Sequence, residues 1–161
     1  MNKLFIILIV LVIILYVRFN LKYNDYYEIL QVKPGNLTPD VFNERKPIVI
    51  QNGNYTQQQI ISSALRYMYI NQYTITYEPN EKPIENKAKF LFISVDKPCE
   101  IEIINPKYKS IDDYESISVK LNTKNILVIP AFWKYKCQQK MTCTFVHDIF
   151  SLTYHTITNI I

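Results

Sequence analysis

Glycine is nearly absent from this chain of 161 residues, with only Gly35 and Gly53. Loops that cradle phosphates need several glycines whose backbone can approach the ligand, so Walker-type and dinucleotide-binding sites have nothing to be built from. Histidine is almost as scarce, with only His147 and His155, which restricts both metal ligation and acid–base chemistry. The three cysteines, Cys99, Cys137 and Cys143, show no CxxC spacing and indicate neither a zinc site nor a disulfide framework. They read as idle or buried thiols, with a Cys137–Cys143 hairpin disulfide as the alternative. A single tryptophan, Trp133, contrasts with 13 tyrosines. The net charge of +4 is dispersed along the chain and points to no nucleic-acid partner.

What the chain does have begins at once. Residues 4–17, LFIILIVLVIILYV, carry no polar side-chain group except the Tyr16 hydroxyl, so a helix here has no face suited to water. Fourteen residues rise only about 21 Å, against a hydrocarbon core of roughly 30 Å. Phe19 and Leu21 extend the apolar stretch, Arg18 can reach the headgroups, and Tyr16, Phe19 and Tyr23 form an interfacial belt. Small residues suited to signal-peptide cleavage are missing after the run. The expectation is an uncleaved single-pass anchor with the bilayer as partner, in which Leu4, Phe5, Ile6, Leu11, Ile14 and Val17 face lipid. Lys3 on one side is offset by Arg18 and Lys22 on the other, so charge sets no orientation. The sequons at Asn36 and Asn54 are no more frequent than chance and do not decide it either.

The remainder divides into a linker, 24–37, and a domain, 38–161. Thr38-Pro39 reads as a helix start, and Ile48 to Ile50 as a strand stopped by Asn52-Gly53. Thr56 and Gln59 match a capping box, and Ile60, Ala64, Leu65 and Met68 recur at helical spacing, predicting one amphipathic helix over about 57–70. Beyond it, QYTITYE, KFLFISV, CEIEIIN, ESISVKL, NILVI, WKYKC and the long TCTFVHDIFSLTYHTI read as strands separated by proline, Asn and Asp turns. Few helices and many short strands favour a mainly β fold, an antiparallel sandwich or jelly roll.

Two stretches carry a family resemblance. TPDVFNERKPIVI, Thr38 to Ile50, resembles the opening of cupin-like domains of the JmjC type, a short helix followed by Arg-x-Pro and a β-branched strand. NILVIPAFWKYK, Asn125 to Lys136, resembles their later strand pair, where an Ile-Pro step and a Trp precede a metal-binding His, and CEIEIINPKY resembles the strand between them. Anchored versions rich in Ile, Asn and Tyr are similar to those of large DNA viruses. The resemblance implies a double-stranded β-helix and, in the catalytic members, Fe(II) and 2-oxoglutarate, with iron held by His-x-Asp or His-x-Glu and a distant His. Here Tyr135 stands where the distant His is expected, and the region 80–95 has no histidine. The expectation is therefore a non-catalytic binding or structural module without a cofactor, engaging a protein partner at most. A divergent Fe(II)/2-oxoglutarate oxygenase is the alternative.

The two histidines are weak metal candidates. On a continuous strand the eight residues from His147 to His155 span roughly 27 Å, too far for ligands each about 2 Å from one ion, unless the chain reverses between them. Both are expected on a sheet face, half exposed. Cys143 and Ser151 share strand parity with His147 and are its only candidate nucleophiles. Trp133, Lys134, Tyr135 and Lys136 alternate, which favours rings packed inward and lysines outward over a basic aromatic contact surface.

Overall fold

The computed structural model describes residues 7, 8, 10–12, 14, 28–51, 54–65, 69–106 and 116–160. Among the described residues, ten strands form two sheets. The larger has six strands: β1 (Leu30–Val32), β2 (Ile48–Gln51), β3 (Asn71–Tyr77), β5 (Phe90–Ser94), β8 (Asn125–Pro130) and β10 (Met141–His147). Their order is β1-β2-β8-β5-β10-β3. The smaller has four: β4 (Ile84–Glu85), β6 (Cys99–Ile104), β7 (Ser116–Leu121) and β9 (Lys134–Cys137), in the order β4-β9-β6-β7. Pairing is antiparallel throughout, except that β1 lies parallel to β2. From β3 to β10 the chain passes repeatedly between the sheets, an order consistent with a jelly roll.

The apolar runs follow from this layering. FLFI in β5 and ILVIP in β8 are apolar at every position because both faces of the large sheet are covered. One face meets the small sheet across a core that includes Leu91, Ile93, Ile101, Ile103, Leu127, Ile129, Trp133 and Tyr135. The other face is covered by two helices, α1 (Pro39–Asn43) and α2 (Gln57–Ala64), whose Phe42, Ile60, Ile61 and Ala64 pack on Ile48, Ile50, Phe90, Phe92, Ile126 and Val128.

At α2 the capping box is present as expected: Gln59 N donates to the Thr56 hydroxyl and Thr56 N donates to the Gln59 side chain. The helix ends at Ala64 rather than near residue 70, and Met68 lies outside the described residues, as does the Asn52-Gly53 turn. Thr38 is the N-cap of α1 without a side-chain hydrogen bond. Part of the expected linker belongs to the sheet, since Leu30–Val32 pairs with Ile48–Ile50. The parallel ladder is extended by a bond from Leu30 N to Pro47 O at 2.9 Å.

The largest departure from expectation is at the end of the long run read as strand. After His147 the chain enters a helix, α3 (Ile149–Ile160). Asp148 and Ser151 cap it reciprocally, with Ser151 N donating to Asp148 Oδ1 at 2.9 Å and Asp148 N to the Ser151 hydroxyl at 3.0 Å. The cap, together with packing of Tyr154 on Phe132, overrides the strand propensity of a segment rich in Thr, Ile and aromatics.

The anchor expected over 4–17 lies partly outside the described residues, which exclude Leu4, Phe5, Ile6 and Val17. Residues 7, 8, 10–12 and 14 are helical, and their side chains are open, from 45% exposed at Val12 to 65% at Ile7. At 100° per residue they cover roughly 200° of the helix circumference, wider than the apolar stripe of a helix lying on a domain. Among the described residues, no helix is long and apolar enough to cross a membrane.

Candidate functional site

The first place to look is where the sequence resemblance expects metal ligands, on β4 and β9 in the smaller sheet. Ile84 pairs with Tyr135 and Glu85 with Lys134. Directly after β4 comes Asn86, fully buried, whose hydrogen-bonding capacity is spent on the chain itself. Its amide donates to Ile129 O at 2.9 Å and Pro130 O at 3.0 Å, and its Oδ1 accepts from Ala88 N at 3.0 Å. Its backbone N–H donates to Trp133 O and its carbonyl accepts from Phe132 N. These bonds hold the β8–β9 turn, in which Phe132 takes a left-handed conformation at φ 68° that costs a non-glycine residue energy. Asn86 is thus a clamp, and no sequence signal marked it.

Tyr135 points into the sandwich and is completely buried. Its hydroxyl makes no hydrogen bond of ordinary geometry, although Tyr77 is near enough to interact with it. Burial, then the neighbouring Cys143 and Tyr77, push the phenol far above its usual range. It therefore keeps its proton in the folded domain. The thiols nearby are held protonated as well: burial, followed by the adjacent Cys137, raises both Cys143 and Cys99 to about 12. Cys143 and His147 lie four residues apart on β10, roughly 13 Å along the strand, so the two do not form a pair for attack. Among the described residues, no group of three or more His, Cys, Asp or Glu is placed to hold a metal ion.

The quartet considered as a surface contact separates by face. Trp133 and Tyr135 are buried in the sandwich core, while Lys134 and Lys136 lie half-buried on the opposite side of β9, Lys136 facing Glu102 at 3.8 Å. Rings and ammonium groups do not form one basic aromatic surface, because strand alternation points them apart.

Of the two histidines expected half-exposed on a sheet face, His155 is half-exposed but on a helix, and His147 is on a strand but buried. His147 ends β10 and is fully buried, and the turn into α3 folds His155 back over it. The ring centroids are 5.4 Å apart, edge to face, where an uninterrupted strand would have separated the residues by roughly 27 Å. Tyr73 of β3 completes the group: its ring stacks on His147 at 5.6 Å and its hydroxyl lies 3.4 Å from His155 Nε2. Both nitrogens of His147 lack a hydrogen-bond partner. Burial, then the proximity of His155, lowers its pKa, so the ring is held neutral.

Chemically, this group offers two imidazoles and a phenol in mutual contact. Ser151, the other nucleophile considered, is engaged in the α3 cap, donating to Asp148 O and accepting from Asp148 N. Asp148 is bound to Ser151 N and faces Lys89 at 3.2 Å. No family model matches the chain, and no curated protein matches it.

Proposed function

We propose that this protein is a non-catalytic, membrane-anchored module in which a cupin-like jelly roll of the kind seen in anchored proteins of large DNA viruses serves as a binding or structural scaffold. The observation that carries this reading is the filling of the interior. Where a ligand-holding scaffold needs imidazole and carboxylate converging on open space, there is a protonated, buried Tyr135 and an Asn86 committed to the β8–β9 turn. Anchoring is supported by the apolar side chains of Ile7, Leu8, Val10, Leu11, Val12 and Ile14, which stand open among the described residues. Lipid is the solvent that suits such a surface.

Synthesis of the full chain in the presence of phosphatidylcholine vesicles tests the anchor. The chain is expected to float with the vesicles after alkaline carbonate washing, and a variant carrying both Leu11→Asp and Ile14→Asp is expected to stay behind. Release of the native chain by carbonate would reject the reading.

The alternative, an Fe(II)/2-oxoglutarate oxygenase, draws on one observation, the contact between His147 and His155. It requires succinate to form from 2-oxoglutarate with added Fe(II), and to stop forming in His155→Ala. The scaffold reading expects no succinate above the level of boiled protein.

A further inference from the structure

The three thiols of the chain converge inside the sandwich, but not in the pairing that their order suggests. Cys137 ends β9 and Cys143 lies on β10 in the other sheet, so a bridge between them would tie the two layers together. The contact is instead made within the small sheet. Cys99 opens β6, two residues before Ile101, the cross-strand partner of Cys137. Residues two apart on a strand share a face, so Cys99 and Cys137 are diagonal neighbours pointing into the same interior. Their sulfurs are 3.9 Å apart, in van der Waals contact.

We propose that Cys99 and Cys137 are a disulfide-forming pair: a disulfide oxidant of the glutathione class converts them into a bridge between β6 and β9 and leaves Cys143 as the free thiol. The inference is independent of the scaffold reading above. A disulfide needs sulfurs about 2.05 Å apart, so closing the 3.9 Å gap takes side-chain rotation together with a small approach of β6 toward β9, because diagonal neighbours lie about 7–8 Å apart at Cα and a bridge spans at most about 6.8 Å. The main chain at Cys137 is fixed, with its N–H donating to Asn80 Oδ1 at 3.2 Å and its carbonyl accepting from Asn80 N at 3.0 Å. The bridge would therefore close on a strand already held in register.

Exposure sets the order of events. Cys99 is 9% exposed, whereas Cys137 and Cys143 are almost wholly enclosed. Cys99, as thiolate, attacks one sulfur of oxidised glutathione; the glutathione S–S bond breaks, and one glutathione leaves, taking up the proton that Cys99 lost. Cys137 then gives up its proton and attacks the Cys99 sulfur of the mixed disulfide, and the second glutathione leaves as thiol. Two protein thiols lose two electrons, one oxidised glutathione gains them, and both protons end on the departing thiols. Because burial raises the Cys99 thiol to about 12, bridging is slow at neutral pH and accelerates about tenfold per pH unit as the thiolate fraction grows.

The test is to incubate the reduced full chain with oxidised glutathione under native conditions, then unfold it, block remaining thiols with N-ethylmaleimide and map the peptides by mass. The expected result is one maleimide adduct, on Cys143, and a linked peptide pair containing Cys99 and Cys137 at a mass lower by two hydrogens. Three adducts would overturn the proposal, as would a glutathione retained on Cys99 or a bridge that includes Cys143.

Discussion

The two sides of the six-stranded sheet are built from different material. On the helical side, Phe42, Ile48, Ile50, Ile60, Ile61, Phe90, Phe92 and Val128 make a hydrocarbon layer whose rings meet edge-on, Phe42 and Phe90 at 5.2 Å. On the sandwich side the core shared by the two sheets contains three thiols, an indole and a phenol whose hydroxyl makes no hydrogen bond of ordinary geometry. The helical side is held mainly by burial and shape, with Gln57 of α2 donating to the Ser94 hydroxyl and accepting from the Thr144 hydroxyl at its margin. The sandwich side also depends on hydrogen bonds at its rim, above all those of Asn86, and contains a polar atom that weakens it. The inner core thus mixes apolar packing with thiols and a phenol, whereas the outer core is hydrocarbon at its centre with its polar contacts kept to the margin.

Four experiments would break or sharpen that contrast. Phe92→Ala on the helical side removes a fully buried ring and is expected to cost about 3–5 kcal/mol in urea unfolding, with an unchanged denaturant slope; a loss below about 1 kcal/mol would mean that side is not tightly packed. Asn86→Ala at the sandwich rim removes three side-chain hydrogen bonds and leaves buried carbonyls unpaired, for an expected loss of about 2–3 kcal/mol by the same measurement. Tyr135→Phe should move the other way, by up to about 1 kcal/mol of stabilisation, because it deletes a buried hydroxyl that has no partner. A clear destabilisation would show that the hydroxyl is satisfied.

The smallest effect concerns pH. The folded-state pKa of His147 is lowered from its ordinary value of 6.5, by burial first and by His155 second. Above pH 6.5 the ring is neutral folded or unfolded, and its environment costs nothing in proton uptake. As pH falls below that value the unfolded chain binds the proton first, so stability declines until the folded pKa is passed. Asp148, within electrostatic reach, opposes the shift, while the Tyr73 hydroxyl and Lys89 are the other titratable groups around the cluster. Unfolding midpoints at about pH 7.5 and about pH 5.5 should differ in the native chain and converge in His147→Leu, beyond the slope contributed by the carboxylates. An undiminished pH slope in the variant would assign the effect elsewhere.

Much of the strand content was legible because alternation and β-branching act locally. QYTITYE, KFLFISV, CEIEIIN, NILVI and WKYKC match β3, β5, β6, β8 and β9 to within a residue or two at each end, and the cap of α2 was readable from Thr56 and Gln59. What escaped depended on partners distant in sequence. β1 and β4 are only three and two residues long and exist because β2 and β9 offer them an edge. The start of α3 was hidden by a composition suited to strands, although Asp148 and Ser151 at the spacing of a cap were there to be read. The histidine cluster was invisible for the same reason, since its geometry depends on that helix turning back. Asn86 gave no sign because its role is defined by carbonyls more than forty residues away.

The strand order also bears on how the chain is made. Of the described strands, only β1 with β2 and β6 with β7 are neighbours both in sequence and in a sheet. β10, last in sequence order, sits between β5 and β3 and pairs with both. While it is still inside the ribosome, the larger sheet has a vacancy in its middle with two open ladders facing each other. The nascent domain cannot fold progressively from its beginning; it must wait for the segment around Phe145 and then close in one cooperative step, with chaperones the natural guardians of the interval.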